Sequence, residues 1–124
     1  NFCLIVDWNG LQIDGPVTEV MNPTPHDKKL EAFGFNVISI DGHNFEEIEA
    51  AFKAARACKG KPTAIIAKTV KGKGVSFMEN QVGWHGNAPK DDQYEQAVNE
   101  IMESLPGFCC CSWGGCNIDN GGKE

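Results

Sequence analysis

Three short apolar runs, at residues 2–6, 35–40 and 63–67, alternate with two segments of helical periodicity. This alternation constrains the fold more than any other feature of the chain. Parallel strands need a crossover between them, usually a helix, so the order implies right-handed connections and a mainly parallel α/β sheet. The first and third runs are apolar throughout, as in strands buried on both faces. The first helix is expected at Thr24-Pro25-His26-Asp27, with Thr24 as cap, Pro25 at the first helical position and Asp27 at the positive end. It turns Leu30 and Phe33 inward and stops at Gly34. The second opens on Asn44, with Glu47 completing a capping box, and sets Phe45, Ile48, Phe52 and Ala55 on one face. A last helix from about Asp91 carries Tyr94, Ala97, Val98, Ile101, Met102 and Leu105 at 3–4 spacing and ends at Pro106-Gly107. Three strands are few for a complete doubly wound sheet, so part of it is expected to lie outside this chain. Residue 1 falls in a strand already under way and is not expected to be a natural start.

A length of 124 residues, with 41% hydrophobic and 23% charged residues, suits one globular domain with a real core. The net charge of −6 argues against nucleic acid or an anionic membrane as main partner, while leaving room for a local basic pocket. No apolar run is long enough to cross a bilayer, and no signal peptide opens the chain. Cys3 and Cys58 stand apart, whereas Cys109, Cys110, Cys111 and Cys116 crowd the tail. No disulfide framework staples the body, so a reducing cytoplasm is expected. The tail holds thiolates enough for zinc or an iron–sulfur cluster, but three adjacent cysteines cannot easily face one ion. Residues 106–124 are therefore read as a flexible Cys/Gly-rich tail.

Three loops leave the carboxyl ends of the strands, at residues 7–16, 41–44 and 68–89, and in a parallel sheet they share one rim. On the first, Asn9 offers a neutral amide oxygen beside free backbone carbonyls. That is either a hard, oxygen-only site suited to Mg²⁺ or Ca²⁺ with phosphate, or a plain strand exit. On the third, Lys71-Gly72-Lys73-Gly74 pairs ammonium groups with residues that let a backbone approach phosphate, or forms a solvated turn. Trp84-His85-Gly86 sets an imidazole between an aromatic anchor and a glycine, fit to donate to phosphate or shuttle a proton, or simply structural. His43 shares the rim beside a helix cap and is read as structural; His26 is left to the surface. Asn9, Lys71, Lys73 and His85 are thus expected to converge.

Three stretches say more together than apart. Val6-Asp7-Trp8-Asn9-Gly10-Leu11-Gln12-Ile13-Asp14-Gly15, Ala67-Lys68-Thr69-Val70-Lys71-Gly72-Lys73-Gly74-Val75-Ser76-Phe77-Met78-Glu79 and Gly83-Trp84-His85-Gly86-Asn87-Ala88-Pro89 resemble the thiamine diphosphate (ThDP) binding domain of transketolases. The likeness is strongest to the N-terminal subunits of split bacterial enzymes, and it runs over residues 1–105. It implies a partial three-layer ThDP-binding α/β fold, with a mainly parallel sheet flanked by helices. It also implies that ThDP carries a two-carbon glycolaldehyde unit from a ketose phosphate to an aldose phosphate.

Carried over position by position, the resemblance makes Asn9 the amide ligand of a divalent metal, Mg²⁺ or Ca²⁺, and Leu11 the donor of a backbone carbonyl to it. Ile13 resembles the apolar support of the cofactor rings, Lys71 the cationic cofactor contact, and His85 the histidine near the diphosphate and the reacting oxygens. The Gly-Asp-Gly half of the cofactor motif and the family's upstream histidines are absent from this chain. The glutamate that activates the aminopyrimidine belongs to another domain, so a complementary Pyr-domain chain or region is an implied partner, in a dimer or heterotetramer with sugar phosphates as substrates. Alternatives are a dihydroxyacetone or deoxyxylulose phosphate synthase and a non-catalytic fragment that serves folding or assembly only.

Overall fold

The computed structural model describes residues 2–105, so the expectations for residues 106–124 and their cysteines lie outside the described residues. The chain forms two compact units, one ending at Ala88 and one beginning at Pro89.

In the first unit three strands, β1 (Cys3–Trp8), β4 (Asn36–Asp41) and β5 (Thr63–Lys68), build a parallel sheet in the order β1-β5-β4. Between β1 and β4 come a two-residue hairpin, β2 (Leu11–Gln12) with β3 (Gly15–Pro16), then short α1 (Val17–Val20) and α2 (His26–Ala32). Helix α3 (Phe45–Ala57) links β4 to β5. The two crossovers run in opposite directions across the sheet, so right-handedness places α2 and α3 on opposite faces.

The central strand is the core. Thr63, Ala64, Ile65 and Ile66 are all buried, as a continuous apolar run between two strands requires. Thr63, the one buried polar residue among those described, accepts a hydrogen bond from Asn36 Nδ2 at 3.4 Å. Strand β1 departs from the expected double burial. It is an edge strand whose only described neighbour is β5, and Ile5 is half exposed.

Helix α2 starts one residue later than expected. Pro25 is its cap residue, without a side-chain hydrogen bond, while the Thr24 N–H and hydroxyl both donate to Asn22 Oδ1. Its end is a Schellman turn: Gly34 N–H donates to Glu31 O, Phe35 N–H to Leu30 O, and Gly34 takes φ +85°. This turn corrects the inward placement of Phe33, which is 80% exposed; Leu30 and Phe35 are half-buried instead. On α2's exposed face Lys28 is held above the ordinary lysine value by its hydrogen bond to Glu31, with Asp27 adding to the effect.

Asn44 caps α3 by accepting from the N–H groups of Glu46 and Glu47. The reciprocal half of the capping box is altered. Glu47 accepts instead from the Asp41 N–H (2.8 Å) and Asn44 Nδ2 (3.1 Å). Exposure around α3 rises from buried Ala51 through Ala55 and Ile48 to Phe52 and Phe45, the last 86% exposed. The buried stripe is thus rotated towards Ala51, and the two phenylalanines lie on its outer side.

The second unit's described part is α4 (Asp91–Glu103), which begins where expected. Gln93 Oε1 accepts from the Lys90 N–H at 3.0 Å. Ala97 is buried, whereas Tyr94, Val98, Ile101 and Leu105 are exposed. Among the described residues no helix is long and apolar enough to cross a membrane.

Candidate functional site

The register places Trp8, Lys68 and Asp41 opposite one another, so the three strands end level and deliver their loops to one rim. In parallel α/β sheets that rim is where ligands bind.

On the first loop, Asn9 Oδ1 accepts the Leu11 N–H at 2.9 Å, which fixes the amide and leaves its oxygen one further lone pair. The Val17 N–H donates to Gly10 O at 3.0 Å. Bonded and non-bonded pairs alternate in an antiparallel ladder, so the Leu11–Pro16 pair is a non-bonded one. The Leu11 carbonyl is therefore directed away from β3. Ile13 sits at the hairpin tip, 67% exposed.

The third loop is folded on itself. Asn80 N–H donates to Lys71 O, Val75 N–H to Gly72 O, and Gly74 N–H to Glu79 Oε1. Gly72 has φ +71°, and a Cβ there would lie 2.6 Å from Met78 O, so only glycine fits. Trp84 Nε1 donates to Phe77 O at 3.0 Å, and their rings meet at 5.3 Å. These contacts order a segment whose sequence has no periodicity, and they carry the chain through the turn Val82–Trp84 to His85.

Asn9, Leu11, Ile13, Lys71 and His85 line one cleft of about 220 Å³, with Gln12 and Val82. No carboxylate lines it. Two potentially cationic side chains and neutral amides make a cleft suited to an anion, on a chain of net charge −6. Its volume is below the ~300–1,000 Å³ typical of pockets that enclose a small molecule, so it can hold an ion and a diphosphate-sized group, not a whole cofactor. Among the described residues no three His, Cys, Asp or Glu side chains gather for a metal. The Asn9 amide and Leu11 carbonyl are hard oxygen donors that suit Mg²⁺ or Ca²⁺, but they supply only two of about six ligands.

Lys73 does not join this cleft. Its ammonium stands 3.8 Å from Glu79, and it lines a second, larger opening of about 720 Å³ with His43, Asp41, Glu47, Lys68 and Thr69. Thr69 Oγ1 donates to Asp7 Oδ1 at the mouth of β1. His26 is not a surface residue: its ring packs edge-on against Trp8 at 4.4 Å, and its buried Nε2 has no hydrogen-bond partner. Sequence reading missed Gln12 and Val82 as lining residues. The hairpin that presents Gln12 was detectable in the glycine and proline flanking Ile13-Asp14.

Residues 1–104 match the family model for the transketolase thiamine diphosphate binding domain. One of the two subunits of an apulose-4-phosphate transketolase from Phocaeicola vulgatus is 39% identical over 105 residues, covering 85% of this chain and 37% of that protein. Human transketolase is 38% identical over 105 residues, covering 85% of this chain and 16% of its own length. The crystal structure of transketolase from Campylobacter jejuni superposes with a TM-score of 0.72 at 37% identity, covering 82% of this chain and 16% of that one. The chain thus spans little more than a third of the bacterial subunit, and less of the longer enzymes. Fold, order of motifs and relatives agree: this chain belongs to the transketolase family and carries sequence of its thiamine diphosphate binding domain.

Proposed function

We propose that this chain supplies one half of a ThDP and divalent-metal site in a transketolase that moves a two-carbon unit between sugar phosphates. The observation that carries this reading is the convergence of Asn9, Leu11, Ile13, Lys71 and His85, from two separate loops, on one cleft free of carboxylates. Asn9 Oδ1 and the Leu11 carbonyl hold the metal, and Lys71 neutralises diphosphate charge. Ile13 gives the cofactor rings an apolar surface, and His85 stands where it can donate to the diphosphate and the reacting substrate oxygen. When bound, ThDP supplies the electron sink for carbon–carbon cleavage. The protein's part is to orient that group and hold its charge.

The remaining metal and cofactor ligands come from the rest of the domain and from a complementary Pyr-domain chain or region, in a dimer or heterotetramer. The resemblance to a protein named as a transketolase subunit supports such a split assembly. Unpaired Cys3 and Cys58 support a reducing cytoplasm as its compartment. The test is to join this chain to the rest of its domain, add the complementary chain, and assay ketol transfer with ThDP and Mg²⁺. Transfer that requires both supports the proposal. A folded, assembled complex without transfer replaces it with a non-catalytic assembly module.

A further inference from the structure

Two loops at the carboxyl rim are tied together by a side chain that the cofactor site does not itself use. His43 stands between β4 and α3, and its Nε2 accepts the backbone N–H of Val70 at 2.7 Å. Val70 immediately precedes Lys71. The ladder explains why an imidazole is needed. Gly42 N–H donates to Lys68 O at 2.7 Å, so the next bond of a parallel ladder would run from Val70 N–H to the carbonyl of Gly42. β4 has ended at Asp41, and the imidazole nitrogen takes that acceptor's place.

The ring is itself held from behind. His43 N–H donates to Asp41 Oδ1 at 2.9 Å, and Asn44 fixes the start of α3 one residue later. The two loops are pressed together, since a Cβ at Gly42 would lie 2.5 Å from Thr69 Cγ2 and 3.0 Å from Lys68 O. On the other side of β5, Thr69 N–H donates to Trp8 O. Lys71 is thus bracketed: His43 fixes the Val70 peptide upstream, and Asn80 N–H holds the Lys71 carbonyl downstream. The downstream bond lies within the loop and moves with it. The His43 bond ties the loop to the sheet rim.

We propose that His43 is a positioning residue for Lys71: as a neutral imidazole protonated on Nδ1, it fixes the Val70 peptide and so sets where the Lys71 ammonium stands in the cofactor cleft. The proposal rests on the reading of that cleft as a diphosphate site. Asp41, Glu47, Lys68 and Lys73 share the opening with the ring, so both signs of charge surround it.

The test uses the full-length chain assembled with its complementary chain, as wild type, His43→Ala and His43→Gln. Glutamine keeps an acceptor oxygen at about the reach of Nε2. Val70 amide exchange is measured without cofactor, and ThDP affinity at saturating Mg²⁺. The expected result is faster Val70 exchange and ThDP affinity weakened on the order of tenfold in His43→Ala, as for one lost hydrogen bond. In His43→Gln both are expected within about twofold of wild type, since an acceptor is retained. Unchanged Val70 exchange in His43→Ala overturns the proposal, as does an equal loss of affinity in both variants. Should His43→Ala fail to fold, nitrogen NMR of wild type decides: an Nε2-protonated ring overturns the proposal, and an Nδ1-protonated ring supports it. Failure of the wild-type assembly to bind ThDP overturns the cofactor reading instead, and Val70 exchange still reports whether His43 holds the peptide.

Discussion

Replacing Gly72 with alanine probes the turn that presents Lys71. Two costs add at this position. The φ of +71° is left-handed, which costs a residue with a Cβ about 1–2 kcal/mol. The new Cβ would also meet Met78 O, C and Cβ at 2.6, 2.7 and 2.8 Å. These include backbone atoms, so no rotamer change relieves the overlap, and such overpacking costs about 1–3 kcal/mol. Gly74 provides the control. Its φ is +90°, but a Cβ there meets nothing within 4 Å, so Gly74→Ala carries the backbone cost alone. Urea unfolding should therefore place Gly72→Ala about 2–5 kcal/mol below wild type and Gly74→Ala about 1–2 below. Local opening of the loop caps what the global transition can register, so amide exchange at Val75, buried inside the turn, is measured alongside. Two variants within about 0.5 kcal/mol of each other, with equal Val75 protection, would refute the packing argument.

Other outcomes follow from the site and the core. In the completed enzyme, Asn9→Ala should weaken Mg²⁺-dependent ThDP affinity with kcat largely retained at saturating cofactor, whereas His85→Ala should chiefly lower kcat. Steady-state kinetics over a ThDP titration separate the two, and equal losses confined to cofactor affinity would defeat the division of roles. Asn44→Ala removes the acceptor for two N–H groups at the start of α3 and should cost about 1 kcal/mol in urea unfolding, with Asn44→Asp close to wild type. Ile65→Ala empties the most enclosed large side chain of the sheet, 2% exposed, and should cost about 2–5 kcal/mol by the same measurement.

The parallel sheet was legible because its signal is local. Apolar runs, caps and glycine stops fall where hydrogen bonding needs them, as at Asn44 and Gly34. Burial was less legible, because it depends on what lies across from a residue. Ile5 belongs to an apolar run yet sits on an edge strand, and Phe33 has helical spacing yet falls at the cap of a Schellman turn. The convergence of Asn9, Lys71 and His85 follows from the common rim of a parallel sheet. The turn that sends Lys73 to Glu79 instead is tertiary, and spacing alone does not reveal it. The same holds for His43. Beside a helix cap it reads as structural, and only the ladder shows that it completes a missing strand bond. His26 reads as a first-turn surface residue until Trp8 is placed against it.

The central claim is that this chain contributes half of a cofactor site. Isothermal calorimetry of ThDP with Mg²⁺ tests it directly, on the isolated 124 residues and on the completed assembly. The account predicts negligible binding to the isolated chain, because two oxygens cannot hold the metal, and Mg²⁺-dependent binding once the missing ligands are supplied. Micromolar, Mg²⁺-dependent ThDP binding to the isolated chain would contradict it.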